Sequence, residues 1–300
     1  MGKKIKSKAY WRDALTGYLF LLPSAIGFLT FVAYPIIYGL YLSFTNSDGF
    51  NVPQFVGFTN FARAFSDNLV RRSIQNNFIY TFSFVPLNAA LALLVSVIIH
   101  RGFRMAGFFK TVLFFPYITA SIAIAVVWKQ LYMPNKGLID VALRAIGFSN
   151  TPGWLTDTKT ALLSVVIVAV WHGFGYNMVI FLAGLQSIPY DLYEAATLDG
   201  ATGWKVFRYI TFPMLSPTIF FVVTMGIINS FRVFELIFQM TAGGPGNSTN
   251  VLVYRIYQEG IINMRFGYSS SIAFILFIII LTFTILQFTL RDKWVFYGES

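Results

Sequence analysis

A chain of 300 residues with 56% hydrophobic and 11% charged residues and a mean hydropathy of +0.66 is not a soluble globular protein, in which charged residues make up about 25%. The net charge of +10 would suggest nucleic acid in a soluble chain, but no basic stripe interleaved with surface aromatics is present and membrane topology accounts for the basic residues. Cysteine is absent and histidine occurs twice, which excludes disulfides, thiol nucleophiles and a His-rich metal site.

Taken in order, the chain reads as an all-α polytopic membrane protein with six transmembrane helices. Residues 1–16 form a basic amino-terminal stretch carrying Lys3, Lys4, Lys6, Lys8 and Arg12. The apolar run that follows, 17–44, exceeds the 7–15-residue core of a signal peptide and shows no clear small-residue cleavage site. It is expected to be an uncleaved first span, kinked at Pro23 and Pro35. Five further spans are predicted over 77–99, 108–131, 161–185, 214–238 and 268–290, each about 20 residues or more as a bilayer requires. Residues 17–300 then form a single transmembrane domain.

Six crossings place both termini on one side. That side holds the amino-terminal lysines and arginine together with Arg101, Arg104, Lys110, Lys205, Arg208, Arg291 and Lys293, more than half of the 22 basic residues. It is therefore expected to be cytoplasmic. The opposite segments, 46–72, 133–159 and 239–267, are richer in Gly, Pro, Asn and aromatics. They predict short interfacial helices and turns, with a turn over Gly243-Gly244-Pro245-Gly246-Asn247-Ser248-Thr249.

Between the fourth and fifth spans lies a polar island, 187–213. Pro189 and Asp191 suggest a helix start, with Asp191 capping free amides and Glu194 completing a capping box. Gly200 suits the left-handed position that ends a helix. Thr202 is placed to cap a second short helix from Gly203 or Trp204 to Ile210, and Pro213 to mark the start of the next span. An ordinary interfacial amphipathic helix is the plain alternative.

The sequence Glu194-Ala195-Ala196, three residues, Gly200, nine residues, Ile210, one residue, Phe212-Pro213 resembles the signature loop of permease subunits of binding-protein-dependent ABC importers, with Phe212 where Leu is usual. The resemblance implies that this loop forms coupling helices entering a cleft on a cytoplasmic ATPase. Glu194, Ala195, Ala196, Asp199, Gly200 and Ala201 would then serve that interface, Gly200 setting the bend. Three further stretches resemble carbohydrate-type permeases: Gly243 to Thr249 ahead of Tyr254-Arg255-Ile256-Tyr257, Ser187-Ile188-Pro189, and Arg101-Gly102-Phe103-Arg104 leading to Phe115-Pro116-Tyr117.

Because the resemblance covers nearly the whole chain, it also implies partners and a setting. These are a second, non-identical permease in a heterodimer, two ATPase subunits, an extracytoplasmic solute-binding protein, a di- or oligosaccharide cargo and the lipid of a bacterial or archaeal inner membrane. No nucleic acid is implied. ATP and Mg would be bound by the ATPase subunits, so the chain itself would hold no cofactor and would not be an enzyme. Gly200-x-x-Gly203-Trp204-Lys205 lacks the spacing of a phosphate-cradling loop.

Polar residues at membrane depth are the default functional candidates. On the fourth span these are Trp171, His172, Gly173 and Tyr176, and on the fifth Asn229, Ser230 and Arg232. Rings that stack on a sugar and amides that orient it would suit a carbohydrate site. The resemblance to maltose-type permeases, in which helices flanking the signature loop hold the sugar, gives most weight to Trp171, Gly173, Tyr176 and Ser230.

Each candidate has a structural alternative. Gly173 and Gly175 suit close helix packing, and His172 a hydrogen-bonded packing role. Arg232 and Glu235 suit an intrahelical pair at i and i+3; an unpaired Arg232 facing the path would instead favour an anionic sugar. Two competing classes are an ion-driven secondary transporter or channel, for which Glu235 is the obvious membrane carboxylate, and a membrane-embedded enzyme, whose catalytic constellation is not found.

Overall fold

The computed structural model describes residues 8–102, 104–148 and 150–296, with side chains from residue 15 onward. Lys3, Lys4, Lys6 and Phe103 lie outside the described residues. Among those described, the protein is helical, its only β-feature an isolated bridge between Thr45 and Phe55. Four helices are long and apolar enough to cross a membrane, or up to six if each of two bent pairs counts as one span.

The first candidate span, Leu15–Ser43, consists of α1 (Lys8–Phe28), a π-helical turn over Leu29–Ala33 and α2 (Tyr34–Ser43). Helix α1 runs through Pro23 and Pro35 opens α2. The local change in winding thus falls between the two prolines, where the sequence had suggested kinks at both. A short amphipathic helix, α3 (Thr59–Ser66), leads to α4 (Asn68–His100). The 33 residues of α4 begin well before the predicted boundary at residue 77, because Asp67 caps the helix by accepting from the Leu69 amide at 2.7 Å.

The predicted span 108–131 is not one helix. It divides into α5 (Ala106–Ile118) and α6 (Ser121–Leu131), bent by 96°. Thr119, at the break, has extended backbone, and its carbonyl accepts from His172 Nε2 at 3.2 Å. A side chain from another helix thereby takes the place of a lost intrahelical partner. After α7 (Leu138–Ala145) comes α8 (Ala161–Gln186), the span with the largest buried share.

Helix α8 lies along α4 and also meets α5. Glycine makes the second approach possible: a Cβ at Gly175 would land on the Leu113 carbonyl of α5. Phe174, Met178 and Phe181 fill the space between α8 and Ala92 and Ile99 of α4. In a bilayer such packing, rather than release from water, holds helices together.

The predicted span 214–238 also divides. Helix α9 (Tyr190–Leu198) is followed by α10 (Trp204–Val206), a π-helical turn over Phe207–Thr211 and α11 (Phe212–Met214). The chain then bends by 65° into α12 (Ser216–Phe231), three residues beyond the expected start at Pro213. Helix α12 ends at Phe231, Arg232 is its cap, and Glu235 opens α13 (Glu235–Met240). The chain closes with α14 (Leu252–Tyr257), a π-helical turn over Gln258–Ile262 and α15 (Phe266–Arg291), which packs on α2.

One face of α4 organises the interior. Ser73, Asn77, Thr81, Asn88 and Ser96 recur every four to eight residues and each is almost fully buried, so they form a polar stripe on a largely apolar helix. Some of their partners lie in broken or irregular segments. Asn77 Nδ2 donates to the Phe231 carbonyl at the end of α12 (3.3 Å), while its Oδ1 accepts from the Leu252 amide at the start of α14 (2.8 Å). The adjacent Asn76 donates to the Asn247 and Asn250 carbonyls at 3.0 and 2.8 Å. It thereby pins the Gly-Pro-rich turn, in which Ala242, Gly243, Gly246 and Asn247 all take left-handed conformations.

Candidate functional site

Helices α4, α8 and α12, together with the α5–α6 break, enclose a cleft of about 650 Å³ that is open on one side. Its walls are aromatic. Tyr117, beside the break, stacks on Tyr176 of α8 with centroids 4.5 Å apart, and Phe84 and Phe221 face in from α4 and α12. Between these rings stand polar groups: Asn177, Asn229, Arg232 and Glu235.

Of the candidates named from sequence, His172, Gly173, Tyr176, Asn229, Ser230 and Arg232 line this cleft. Trp171 does not. It sits about 100° around α8 from His172 and meets Trp128 of α6 edge to face, with centroids 5.4 Å apart. Ser230 is buried and hydrogen-bonded to the Thr81 hydroxyl at 2.9 Å.

Gly173 both lines the cleft and packs. A Cβ there would stand 3.2 Å from Asn88 Nδ2, an amide that donates to the Val170 carbonyl at 3.3 Å while its oxygen accepts from Asn177 at 2.6 Å. The intrahelical pairing of Arg232 with Glu235 is overturned, because the helix ends between them and no ion pair joins them among the described residues. Sequence reasoning missed Tyr80, Phe84 and Tyr117. The two α4 positions were signalled by the polar stripe beside them; the Tyr117 position depends on the break.

A second cleft, of about 690 Å³, lies beneath the α9–α11 knob, against Val97 of α4, Arg101 just beyond its end and Leu185 of α8. Helix α9 ends as the glycine suggested. Gly200 has φ +73°, the Gly200 amide donates to the Thr197 carbonyl (3.0 Å) and the Ala201 amide to the Ala196 carbonyl (2.8 Å), a left-handed termination that satisfies two orphan carbonyls.

The start of α9 differs from expectation. Pro189 takes the cap position and no side chain caps the amides, so Asp191 and Glu194 form no capping box. Likewise Gly203, not Thr202, precedes α10, without a side-chain cap. Glu194, Ala195, Asp199 and Gly200 are exposed, Ala201 is half-buried, and Ala196 is buried against the body. The knob also displays apolar side chains: Leu198 is 89% exposed, Tyr209 76% and Trp204 71%.

At the opposite end of α4 the polar residues form an ionic cluster. Arg255 contacts Asp67 at 3.2 Å and Glu259 at 2.8 Å, and Glu259, almost fully buried, also meets Arg265 at 3.3 Å. Burial pulls the Asp67 carboxyl upward, but the Tyr268 hydroxyl (2.8 Å), the Leu69 amide and Arg255 outweigh it and hold the group below the usual carboxylate range. Asp140 in α7 is similar. The Asn135 amide lowers it, burial opposes, and Trp154, Thr151 and Arg144 add to the lowering, leaving the group acidic.

The family model for the binding-protein-dependent transport system inner membrane component matches residues 61–294. The sn-glycerol-3-phosphate transport system permease protein UgpA of Agrobacterium fabrum is 35% identical over 283 residues, 94% of this chain and 96% of that protein. The probable starch degradation products transport system permease protein AmyD of Thermoanaerobacterium thermosulfurigenes is 30% identical over 297 residues, 98% of each chain. In the solved structure of a bacterial ABC transporter involved in the import of the acidic polysaccharide alginate, one chain superposes with a TM-score of 0.81 at 25% identity, covering 95% of this chain and 98% of that one.

Proposed function

We propose that this chain, which belongs to the family of inner-membrane components of binding-protein-dependent transport systems, is the permease subunit of an ATP-driven importer that carries a di- or oligosaccharide by alternating access. The observation that carries the reading is that cleft and knob share two helices. Helix α8 runs from His172, Gly173 and Tyr176 in the cleft to Gln186, just ahead of α9, and α12 runs from Ser216, just after α11, to Asn229 and Ser230 in the cleft. Ten to fourteen helical residues at 1.5 Å each span about 15 to 20 Å. A tilt imposed on the knob therefore reaches the cleft through two continuous rods.

The remaining assignments follow from this arrangement. Tyr190, Leu198, Trp204 and Tyr209 are exposed apolar side chains of the knob, of the kind that mark protein contacts, and a cytoplasmic ATPase is the partner that would drive the tilt. ATP and Mg reside in two such subunits, and both termini of this chain lie on their side of the membrane. A cleft open on one side needs a second, similar permease to complete the path.

The cargo is delivered by an extracytoplasmic binding protein, as the family's description implies. Glycerol phosphate, starch products and alginate, named for the relatives, share a hydroxyl-rich chemistry, and aromatic walls with interspersed amides suit it. An ion-driven transporter or channel does not fit this family membership and leaves the knob without a task.

Co-purification tests the coupling assignment. Wild-type chain co-expressed with ATPase subunits from its own genome should retain them, while Glu194→Ala and Gly200→Asp, both at exposed positions, should lose them. Undiminished retention by both variants would refute docking through the knob.

A further inference from the structure

We infer that the cleft selects saccharides bearing a carboxylate or phosphate, and that Arg232 is the residue that recognises the anion. The inference rests on the preceding reading of the cleft as the sugar pathway. Of the residues lining the cleft, Arg232 and Glu235 carry the charge. On one continuous helix their i,i+3 spacing would bring them together and neutralise them.

The structure prevents that. Helix α12 tightens into a final turn, with the Arg232 amide on the Asn229 carbonyl at 3.1 Å and the Val233 amide on the Ser230 carbonyl at 3.3 Å, and stops. Helix α13 starts afresh at Glu235. Among the described residues neither side chain has an ion-pair partner.

The break is also held in place. Asn77 donates to the Phe231 carbonyl and accepts from the Leu252 amide, and Thr81 is bonded to Ser230. These anchors are buried. The root of the Arg232 side chain is consequently fixed, so little backbone freedom is lost when the guanidinium engages a ligand.

A guanidinium is permanently charged, weakly hydrated and shaped to meet a carboxylate or phosphate through two parallel hydrogen bonds. When the open side of the cleft is closed, an unpaired charge at membrane depth is costly. A neutral sugar supplies hydroxyl donors to Glu235 but no counter-charge to Arg232, and a cationic one leaves Arg232 opposed. An anionic polyhydroxyl compound satisfies both groups, its charge on Arg232 and its hydroxyls on Glu235.

The complete transporter with its binding protein in proteoliposomes tests this. The probes are digalacturonate beside galactobiose and trehalose phosphate beside trehalose, with the binding protein's own affinity for each measured separately. Wild type is expected to take up a charged member in an ATP-dependent way. Arg232→Gln is expected to lower that uptake by about ten- to hundredfold, the range a charge-assisted contact supplies, with Arg232→Lys recovering part of the loss.

Two results overturn the assignment while leaving the importer reading intact: ATP-driven uptake of uncharged members in preference to charged ones, or uptake of a charged member unaffected by Arg232→Gln. Absence of ATP-dependent uptake of every probe by wild type, with the binding protein loaded, would count against both.

Discussion

Asp67 does three things with one carboxylate: it caps α4, accepts from the Tyr268 hydroxyl and pairs with Arg255. All three favour the charged form and together overcome the burial that opposes it. Asp140 is likewise held charged, by the Asn135 amide first and by Trp154, Thr151 and Arg144. Both carboxyls therefore titrate lower folded than unfolded. The stability they contribute is complete above the unfolded value of about 3.9 and is lost as pH falls from there through the folded value. Thermal unfolding of the purified protein should accordingly be insensitive to these groups near neutrality and fall steeply in acid. Asp67→Asn should melt lower at neutral pH and show a shallower acid decline; an unchanged acid decline would show that Asp67 is not a contributor.

At the scale of elements, the positions of the spans and the knob were legible, and the directions of their backbones were not. Hydropathy locates apolar runs and is blind to a turn within one. No Gly or Pro marks residues 119–120 or 232–234, two of the places where a predicted span breaks. What stabilises the breaks is remote in sequence: His172 donates to Thr119, and Asn77 donates to Phe231. The asparagines and threonine of α4 were visible as polar residues in an apolar run, but their partners were not. Gly200 was legible because its conformation is local, whereas the Asp191 cap was not realised because Pro189 occupies the cap position.

Two glycines separate local from global effects. Gly200→Ala meets no atom within 4 Å and should cost about 1 kcal/mol, through its left-handed backbone alone. Gly175→Ala drives a methyl into the Leu113 carbonyl and should cost about 1–3 kcal/mol or more by forcing α5 from α8. Melting curves of the two variants measured side by side check the order; equal losses would contradict it.

At the scale of the whole molecule, function follows from incompleteness. No residue in the apolar window of the Leu15–Ser43 span is buried within the chain, the cleft is open on one side, and the knob leaves large apolar side chains exposed. On the proposed reading, each unfinished surface would meet a partner in an import assembly: a second permease, the cargo with its opposing wall, and an ATPase. The signature residues of the loop were readable because they recur as a sequence pattern. The cleft was readable only in part, since Trp171 faces Trp128 while Tyr80, Phe84 and Tyr117 enter from elements that sequence alone did not bring together.

On the proposed reading, the cleft between α4, α8 and α12 is the path and the knob its drive. Its most direct test is ATP-driven sugar uptake by the reconstituted transporter carrying Asn229→Trp, which places a large ring at an exposed lining position away from the knob. Uptake should be abolished while the ATPase subunits remain bound and ATP hydrolysis persists. Uptake at the wild-type rate through the filled cleft would contradict it.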